Sequence, residues 1–182
     1  MSKIFLTSDL HLGHDKEFLY KPRGYNSSIE HDAQLIKNWN SIITDEDEVY
    51  ILGDLMLGDN KYGTSTFNHL CGIKHIVLGN HDTDTRIELY NTLRGVVDIK
   101  YADMLRHKGF RFYMSHYPTI LKNFDEPSRI IGLHGHTHSP DKFQYIQNYS
   151  YNVALDAHNN YPVELETILA DIQQYRKENK TK

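Results

Sequence analysis

The sequence predicts an α/β fold, because short apolar strands alternate with helical segments in the first half of the chain and strands prevail in the second half. The first three strands are apolar runs rich in strand formers. Polar residues of metal-ligand type, Asp9, Asp54 and Asn80, follow their ends. The loops at these ends are therefore the first candidates for a functional site.

Hydrophobic periodicity predicts the order of the elements in the first half of the chain. Strands are expected at 3–8, 49–52 and 73–78. A helix capped by Ser28 should run to about Ile43, and shorter helices should cover Thr64 to Cys71 and Asp84 to Leu93. The remaining stretches, 15–27 and 56–65, are predicted to be long surface loops.

After Gly95 the spacing of apolar residues becomes shorter than that of a helix. It predicts mostly strands, at 96–101, 110–114, 130–133, 142–146 and 151–155. The last element is an amphipathic helix from Val163 to about Lys177.

Composition indicates the class of protein. A length of 182 residues predicts a single domain over 1–182. The formal net charge of −4 gives no general attraction to nucleic acid or to an anionic membrane. Cys71 is the only cysteine, which excludes an internal disulfide and a thiolate metal cluster. The chain shows no signal-peptide pattern and no apolar stretch of membrane-spanning length, so a soluble, cytoplasmic protein is expected.

Five strand ends carry residues that commonly bind metals. The blocks are Asp9-Leu-His11, Gly53-Asp54, Gly79-Asn-His-Asp82, Ser115-His116 and His134-Gly-His-Thr-His138. Each block alone also fits a polar loop, a turn, a helix cap or a pair of solvated histidines. Because ligands bind beyond the carboxyl ends of strands in α/β sheets, the ordered set predicts one shared metal site.

The predicted ligands are carboxylate and amide oxygens with imidazole nitrogens, and none is a sulfur. Such a set suits Mn, Fe, Zn, Ni or Co better than Ca or Mg alone. A carboxylate can bridge two cations roughly 3.5–4 Å apart, as two-metal hydrolases require.

The five blocks closely resemble the calcineurin-like metallophosphoesterase superfamily. The resemblance implies that Asp54 bridges two metals and that His81 is the general acid. It also implies one ligand set of Asp9, His11 and His138 and a second of Asn80, His116 and His136.

Two further stretches are similar to a small bacterial and phage branch of this superfamily. The first is Arg23-Gly-Tyr with Glu30-His-Asp and Leu35–Asn40, and the second is Asn152–Asp156 with Tyr161–Leu165. The resemblance thus covers nearly the whole chain, and it implies two facing mixed β-sheets flanked by helices in a four-layer sandwich.

Two departures from the superfamily pattern bear on the substrate. Leu55-Met-Leu57 follows Gly53-Asp54, where the large protein phosphatases carry acidic and arginine residues, and this weakens a protein-phosphatase interpretation. Tyr117 follows His116 where many relatives have glycine, which would narrow the pocket or place a phenol in it.

The expected reaction is hydrolysis of a phosphomonoester or phosphodiester. Two divalent transition metal ions, with Mn the first choice, would generate hydroxide near neutral pH. His81 would donate a proton to the departing alcohol. Asp82 would either orient His81 or cap the following helix.

Several residues are candidates for contact with substrate or for support of the ligands. Asn80, His14 and Arg23 are candidate phosphate contacts, although His14 and Arg23 also fit plain surface loops. Asp156 and His158 could support the site from behind the ligands or lie in a surface turn.

Two alternative functions use the same residues. A nuclease acting on DNA or RNA should show a basic groove with aromatic residues, and Lys16–Arg23 is the only modest basic cluster. A non-catalytic metal-binding scaffold would also keep the ligands. The expected partner is a small phosphate ester, with a nucleotide as one candidate, and no membrane is expected. The sequence leaves the oligomeric state open.

Overall fold

Two mixed β-sheets face each other in the computed structural model, which describes residues 2–119, 121, 129–144 and 150–179. The first sheet has the order β4-β3-β2-β1-β9, built from β1 (Ile4–Thr7), β2 (Glu48–Leu52), β3 (Ile73–Val77), β4 (Val96–Lys100) and β9 (Val163–Glu164). The second sheet has the order β5-β6-β7-β8, built from β5 (Asp103–His107), β6 (Phe110–Met114), β7 (Ile130–His134) and β8 (Ser150–Asn152). The predicted fold of two mixed sheets flanked by helices is confirmed.

In the described parts of the chain, five α-helices connect and flank the sheets: α1 (Glu17–Tyr20), α2 (Ser28–Ile42), α3 (Asn60–Phe67), α4 (Asp84–Tyr90) and α5 (Leu165–Glu178). A short 3-10 helix covers Leu155–Ala157. Among the residues that the structure describes, no helix combines the length and the apolar character needed to cross a bilayer.

The core lies in two layers that follow from strand alternation. One face of the first sheet packs Val49, Ile51 and Ile76 against Trp39 and Phe67 of the helices. The opposite face packs Leu6, Leu52 and Val77 against Phe112 and other residues of the second sheet, together with the apolar face of α5. The first sheet is therefore buried on both faces, as its nearly continuous apolar strands predict.

Several element boundaries differ from the sequence prediction. α2 is capped by Ser27 rather than Ser28, since Ser27 Oγ accepts a 3.1 Å hydrogen bond from the Glu30 amide. α3 spans Asn60–Phe67. It begins at Asn60 because the Asp59 carboxylate caps its N-terminus by accepting a 2.6 Å bond from the Tyr62 amide. The stretches predicted as loops at 15–27 and 56–65 thus contain α1 and much of α3.

Two strands lack a local apolar signal and were not predicted. β5 has the sequence Asp-Met-Leu-Arg-His, which contains only two apolar residues, and it forms because it pairs with β6 across a turn at Lys108 and Gly109, both with positive φ. β9 is two residues long and pairs antiparallel with β1. Of the strand predicted at 142–146, residues 142–144 lie outside any strand and 145–146 lie outside the described residues.

The topology brings the predicted ligand loops to one edge of the molecule. β1, β2 and β3 are mutually parallel, and so are β6 and β7. Their carboxyl ends therefore point in common directions within each sheet. Within the second sheet, the Gly135 amide donates to the His116 carbonyl at 3.0 Å. Between the sheets, the His136 amide donates to Asp9 Oδ2 at 2.9 Å.

Candidate metal centre

Backbone hydrogen bonds hold the loops after β1 and β2 side by side. The Asp9 amide donates to the Gly53 carbonyl and the His11 amide to the Asp54 carbonyl, both at 3.0 Å. Asp9 and Asp54 are thereby brought to neighbouring positions at the carboxyl ends of β1 and β2.

The ligand loops have an unusual backbone conformation. Asp9, His11, Asp54, His136 and His138 all have positive φ, between 48° and 68°. Non-glycine residues rarely occupy this left-handed region, and doing so costs free energy that packing elsewhere must offset. The clustering of these positions at one site indicates that the loops are shaped for function.

The first predicted ligand set forms a compact group. Asp9 Oδ1 lies 3.7 Å from Nε2 of both His11 and His138, and the two Nε2 atoms are 3.2 Å apart. Burial would raise the pKa of Asp9, but the nearby imidazoles of His11, His138 and His116 outweigh it and lower the pKa to about 2. The carboxylate is therefore ionised and faces two imidazole nitrogens.

The second predicted set is equally close. His116 Nε2 lies 2.9 Å from Asn80 Oδ1, 3.2 Å from His136 Nδ1 and 3.6 Å from Asp54 Oδ2. His116 Nδ1 lies 2.8 Å from the Leu52 carbonyl. If Nδ1 carries the proton, this contact orients the ring and leaves Nε2 free to bind a cation.

Asp54 links the two sets. Its Oδ2 atom is 3.6 Å from Nε2 of His11 and 3.6 Å from Nε2 of His116, while Oδ1 accepts a 2.9 Å bond from the His81 amide. One carboxylate oxygen is thus held by the backbone, and the other points between the two histidine groups.

The geometry fits bound cations. Asp9, His11 and His138, and likewise Asp9, Asp54 and His116, offer ligand atoms within 4.8 Å of one another. Asp9 Oδ1 is buried and has no hydrogen-bond donor among the residues that the structure describes. A buried ionised oxygen without a donor is costly unless a cation compensates it. The buried His/Asp clusters are therefore suited to metal binding.

The glycines in the sequence blocks are required by close packing around these ligands. A Cβ at Gly79 would overlap Asp54 Oδ1, and one at Gly135 would overlap Ser8 Oγ and Asp9 Oδ2. At Gly53 it would lie 2.5 Å from His116 Nδ1, and the φ of this residue is +92°. Any larger side chain would displace a predicted ligand.

Two further histidines lie at the mouth of the centre. The His81 side chain is 43% exposed, and its Nε2 is 4.0 Å from Asp54 Oδ2. The His14 ring lies 5.4 Å from the His11 ring, between centroids. Burial and the charges of His11 and His81 lower the pKa of His14 to about 4. His14 is thus neutral at pH 7 and close to the predicted ligands.

Asp82 has a different role from the two considered in the sequence. Its carboxylate accepts hydrogen bonds from the amides of Asp54 (2.9 Å), Leu55 (3.3 Å) and Gly79 (2.7 Å), and from Tyr90 Oη (2.6 Å). The cap of α4 is Thr83. Instead of orienting His81 or capping the helix, Asp82 ties together the loops that carry Asp54 and Asn80.

Arg23, a candidate phosphate contact in the sequence, lies beneath the first ligand loop. The Arg23 side chain is only 1% exposed, and its guanidinium makes two bonds to the Asp156 carboxylate, of 3.0 and 2.8 Å. It also donates to the Asp9 carbonyl at 2.9 Å. Because these partners use its donors beneath the site, Arg23 positions the first ligand loop.

Asp156 lies behind the ligands, as one of the two sequence interpretations proposed. Its Oδ2 atom is 3.2 Å from His138 Nδ1, so the proton can stay on Nδ1 and Nε2 can face the centre. Burial alone would lower the pKa of His138, but this contact and Asp9 raise it. His158 instead contacts the Asn152 carbonyl through Nε2 at 2.9 Å.

Sequence reasoning missed three supporting residues. Ser8 Oγ is 2.6 Å from both Asp9 Oδ2 and the Leu52 carbonyl. His31 lies 3.1 Å from Arg23 Nη1 and 2.8 Å from Asp32 Oδ1, and Asp32 accepts from the Gly13 amide at 2.8 Å. Ser8 and Leu52 are distant in sequence, so no local pattern marks their contact. His31 and Asp32 belong to the Glu30-His-Asp stretch, but the branch resemblance gave them no supporting role.

Comparisons with known proteins find a matching family model and related sequences. The family model of the calcineurin-like phosphoesterase superfamily domain matches residues 2–153. The chain is 30% identical over 181 residues to an uncharacterised protein of Methanocaldococcus jannaschii, covering 96% of this chain and 93% of that protein. It is 30% identical over 186 residues to the gene 66 protein of Mycobacterium phage L5, covering 86% and 88% respectively.

A solved structure shows the same fold. A protein of unknown function from Aquifex aeolicus superposes with a TM-score of 0.70 at 22% identity, covering 92% of this chain and 98% of that one.

Proposed function

Because the chain belongs to the calcineurin-like phosphoesterase superfamily, we propose that it hydrolyses phosphate esters with the help of two divalent transition metal ions. The observation that carries the proposal is the position of Asp54 Oδ2, 3.6 Å from Nε2 of His11 in one ligand set and of His116 in the other. A carboxylate between two imidazole groups is suited to bridge a pair of cations.

Each ligand set would hold one ion. Asp9, His11 and His138 would bind the first, and Asn80, His116 and His136 would bind the second, with Asp54 shared. Oxygen and nitrogen ligands favour Mn, Fe, Zn, Ni or Co, and Mn is our first choice. When bound, the ions would lower the pKa of a water molecule and neutralise charge on the phosphate.

His81 would supply the proton that the departing alcohol needs. Its ring is exposed at the mouth of the site, while its backbone amide is held by Asp54 Oδ1 at 2.9 Å. The side chain is thus placed beside the shared carboxylate without being buried as a ligand. A general acid in such a position can reach the ester oxygen of a bound substrate.

Neighbouring residues would position these groups rather than react. Asp82 fixes the relative position of the Asp54 and Asn80 loops through three backbone amides. His14, neutral and next to His11, would donate a hydrogen bond to a phosphate oxygen, and Asn80 would do the same through its amide group.

Metal-dependent turnover tests the proposal. The protein is stripped with a chelator, reloaded separately with Mn, Ni, Co or Zn, and assayed on bis-p-nitrophenyl phosphate. We expect hydrolysis with at least one metal and its loss on chelation. An absence of turnover with all four metals would contradict the enzyme function and favour a non-catalytic metal-binding scaffold.

Two variants separate the proposed roles. His81→Ala should lose most turnover and keep both metals, whereas Asp54→Ala should lose metal, as measured by elemental analysis of the purified protein. His69→Ala is the matched control, because His69 is exposed in the turn that follows α3 and should change neither property. Metal loss in His81→Ala with metal retention in Asp54→Ala would overturn the assignment.

A further inference from the structure

A cavity of about 350 Å³ opens beside the second ligand set. Asn80 and His116 form its inner wall, and the loops after β4 and β6 form its outer wall through Tyr101 and Tyr117. We call this cavity the tyrosine pocket. A phosphate held at the metal centre would place one of its ester substituents within reach of this pocket.

The Tyr117 side chain is held in place by its neighbours although about half of it is exposed to solvent. Its ring packs on His136, with centroids 4.5 Å apart, and on His116, with centroids 5.2 Å apart. Ser115 Oγ lies 2.9 Å from the Tyr117 carbonyl and from Thr119 Oγ1, which fixes the turn that carries the tyrosine. Even so, Tyr117 is 51% exposed. One part of the ring is anchored, and the rest is available to a ligand.

Tyr101 supplies a second exposed aromatic ring to the same pocket. It is 81% exposed and follows β4, the edge strand of the first sheet. Exposed aromatic side chains on a polar binding groove serve as stacking surfaces for nucleobases, because every base has an aromatic face.

The charge of the tyrosine pocket restricts which ligands it can bind. Within the described part of the chain, its lining contains no lysine or arginine, and the carboxylates there are Asp82 and Asp84. Both oxygens of Asp82 are occupied by amides and by Tyr90, which leaves Asp84 as the free charge. A second phosphate would be repelled there, whereas a neutral base or a ribose hydroxyl would not.

We propose that the tyrosine pocket binds the base of a nucleoside ester carrying a single phosphate, with the base stacked on Tyr117 and enclosed at the rim by Tyr101. This inference rests on the proposed phosphoesterase function and adds the class of substrate. It also gives a purpose to Tyr117 at a position where the superfamily pattern often has glycine.

Binding of two ligands that differ only in the base tests the inference. Adenosine 5′-monophosphate and ribose 5-phosphate are titrated calorimetrically into the Mn-loaded protein. Base stacking should give the nucleotide an advantage of about tenfold in Kd. Tyr117→Leu should remove most of this advantage, measured as the ratio of the two affinities within that variant. Tyr161→Leu, whose tyrosine is partly exposed outside the pocket, should keep the full advantage.

The outcomes distinguish this inference from the function on which it rests. Equal affinities for the two ligands, or an advantage that persists in Tyr117→Leu, would overturn the base site even if bis-p-nitrophenyl phosphate is hydrolysed. If that diester is not hydrolysed with any metal and ribose 5-phosphate also fails to bind, the proposed function itself is refuted.

Discussion

Asp156 Oδ2 lies 3.2 Å from Nδ1 of His138, although the two residues belong to different loops. The same carboxylate receives two hydrogen bonds from the buried guanidinium of Arg23. A predicted ligand is therefore oriented by a carboxylate that a buried cation holds in place. Such partners commonly strengthen metal binding as much as they stabilise the fold.

Asp156→Asn should weaken binding of the cation held by His138. The amide would lose the charge that supports the Nδ1 proton and would leave Arg23 buried without its carboxylate. We expect a loss of about 10–100-fold in metal affinity, measured by competition with a chelator. Asp45→Asn removes a carboxylate that pairs with Arg94 on the exposed surface, and it should leave the affinity unchanged. Similar losses in both variants would contradict the orienting role.

Gly135→Ala should abolish metal binding through steric overlap. The new methyl group would collide with Ser8 Oγ and Asp9 Oδ2 and push the carboxylate from its position. The control is Gly109→Ala in the β5–β6 turn, where φ is +79° and the nearest atom beyond the chain neighbours is 3.5 Å away. That variant should lose about 1–2 kcal/mol of stability and keep its metals. Normal metal content in Gly135→Ala would refute the prediction.

Tyr90→Phe should lower the free energy of unfolding by about 1.5–3 kcal/mol, because it removes a buried hydrogen bond to an ionised carboxylate. Tyr90 is fully buried, and its hydroxyl donates to Asp82 Oδ1 at 2.6 Å. Urea unfolding followed by circular dichroism gives the change. Tyr101→Phe removes the hydroxyl of an exposed tyrosine and should stay within about 0.5 kcal/mol of wild type. If the two variants had the same free energy of unfolding, the hydrogen bond from Tyr90 to Asp82 would contribute nothing to stability.

Lys74 should make stability depend on alkaline pH. Its ammonium group is buried and donates to the carbonyls of Leu70 (2.6 Å) and Arg94 (3.1 Å). Burial, followed by the charge of Arg94, lowers its pKa from 10.5 to about 8. Between these pH values the unfolded chain binds a proton that the folded protein has released, so this group makes the free energy of unfolding rise with pH.

Lys74→Met should remove that rise. Relative to the variant, the wild type should gain stability between pH 7 and pH 10, as measured by urea unfolding at both values. Lys61→Met, which replaces an exposed lysine of α3, should follow the wild-type profile. Parallel profiles for wild type and Lys74→Met would show that the buried ammonium does not titrate in this range.

The sequence by itself determined the fold class and the residues that meet at the candidate centre. Short apolar runs mark β1, β2 and β3 because their burial is recorded locally in residue type. The polar residue at the end of each of these strands can likewise be recognised from the local sequence. Since the carboxyl ends of parallel strands share an edge, Asp9, Asp54 and Asn80 could be expected together before any tertiary contact was known.

The tertiary structure alone decided which charged residues are exposed at the candidate centre and which support the predicted ligands from behind. Arg23 lies in a loop that suggests exposure, yet it pairs with Asp156, which is 133 positions away in the chain. Asp82 adjoins His81 but bonds the backbone of the Asp54 loop. The partners of such groups come from distant segments that packing brings together. No local periodicity records them, because a side chain's sequence neighbours do not set its burial or its hydrogen bonds.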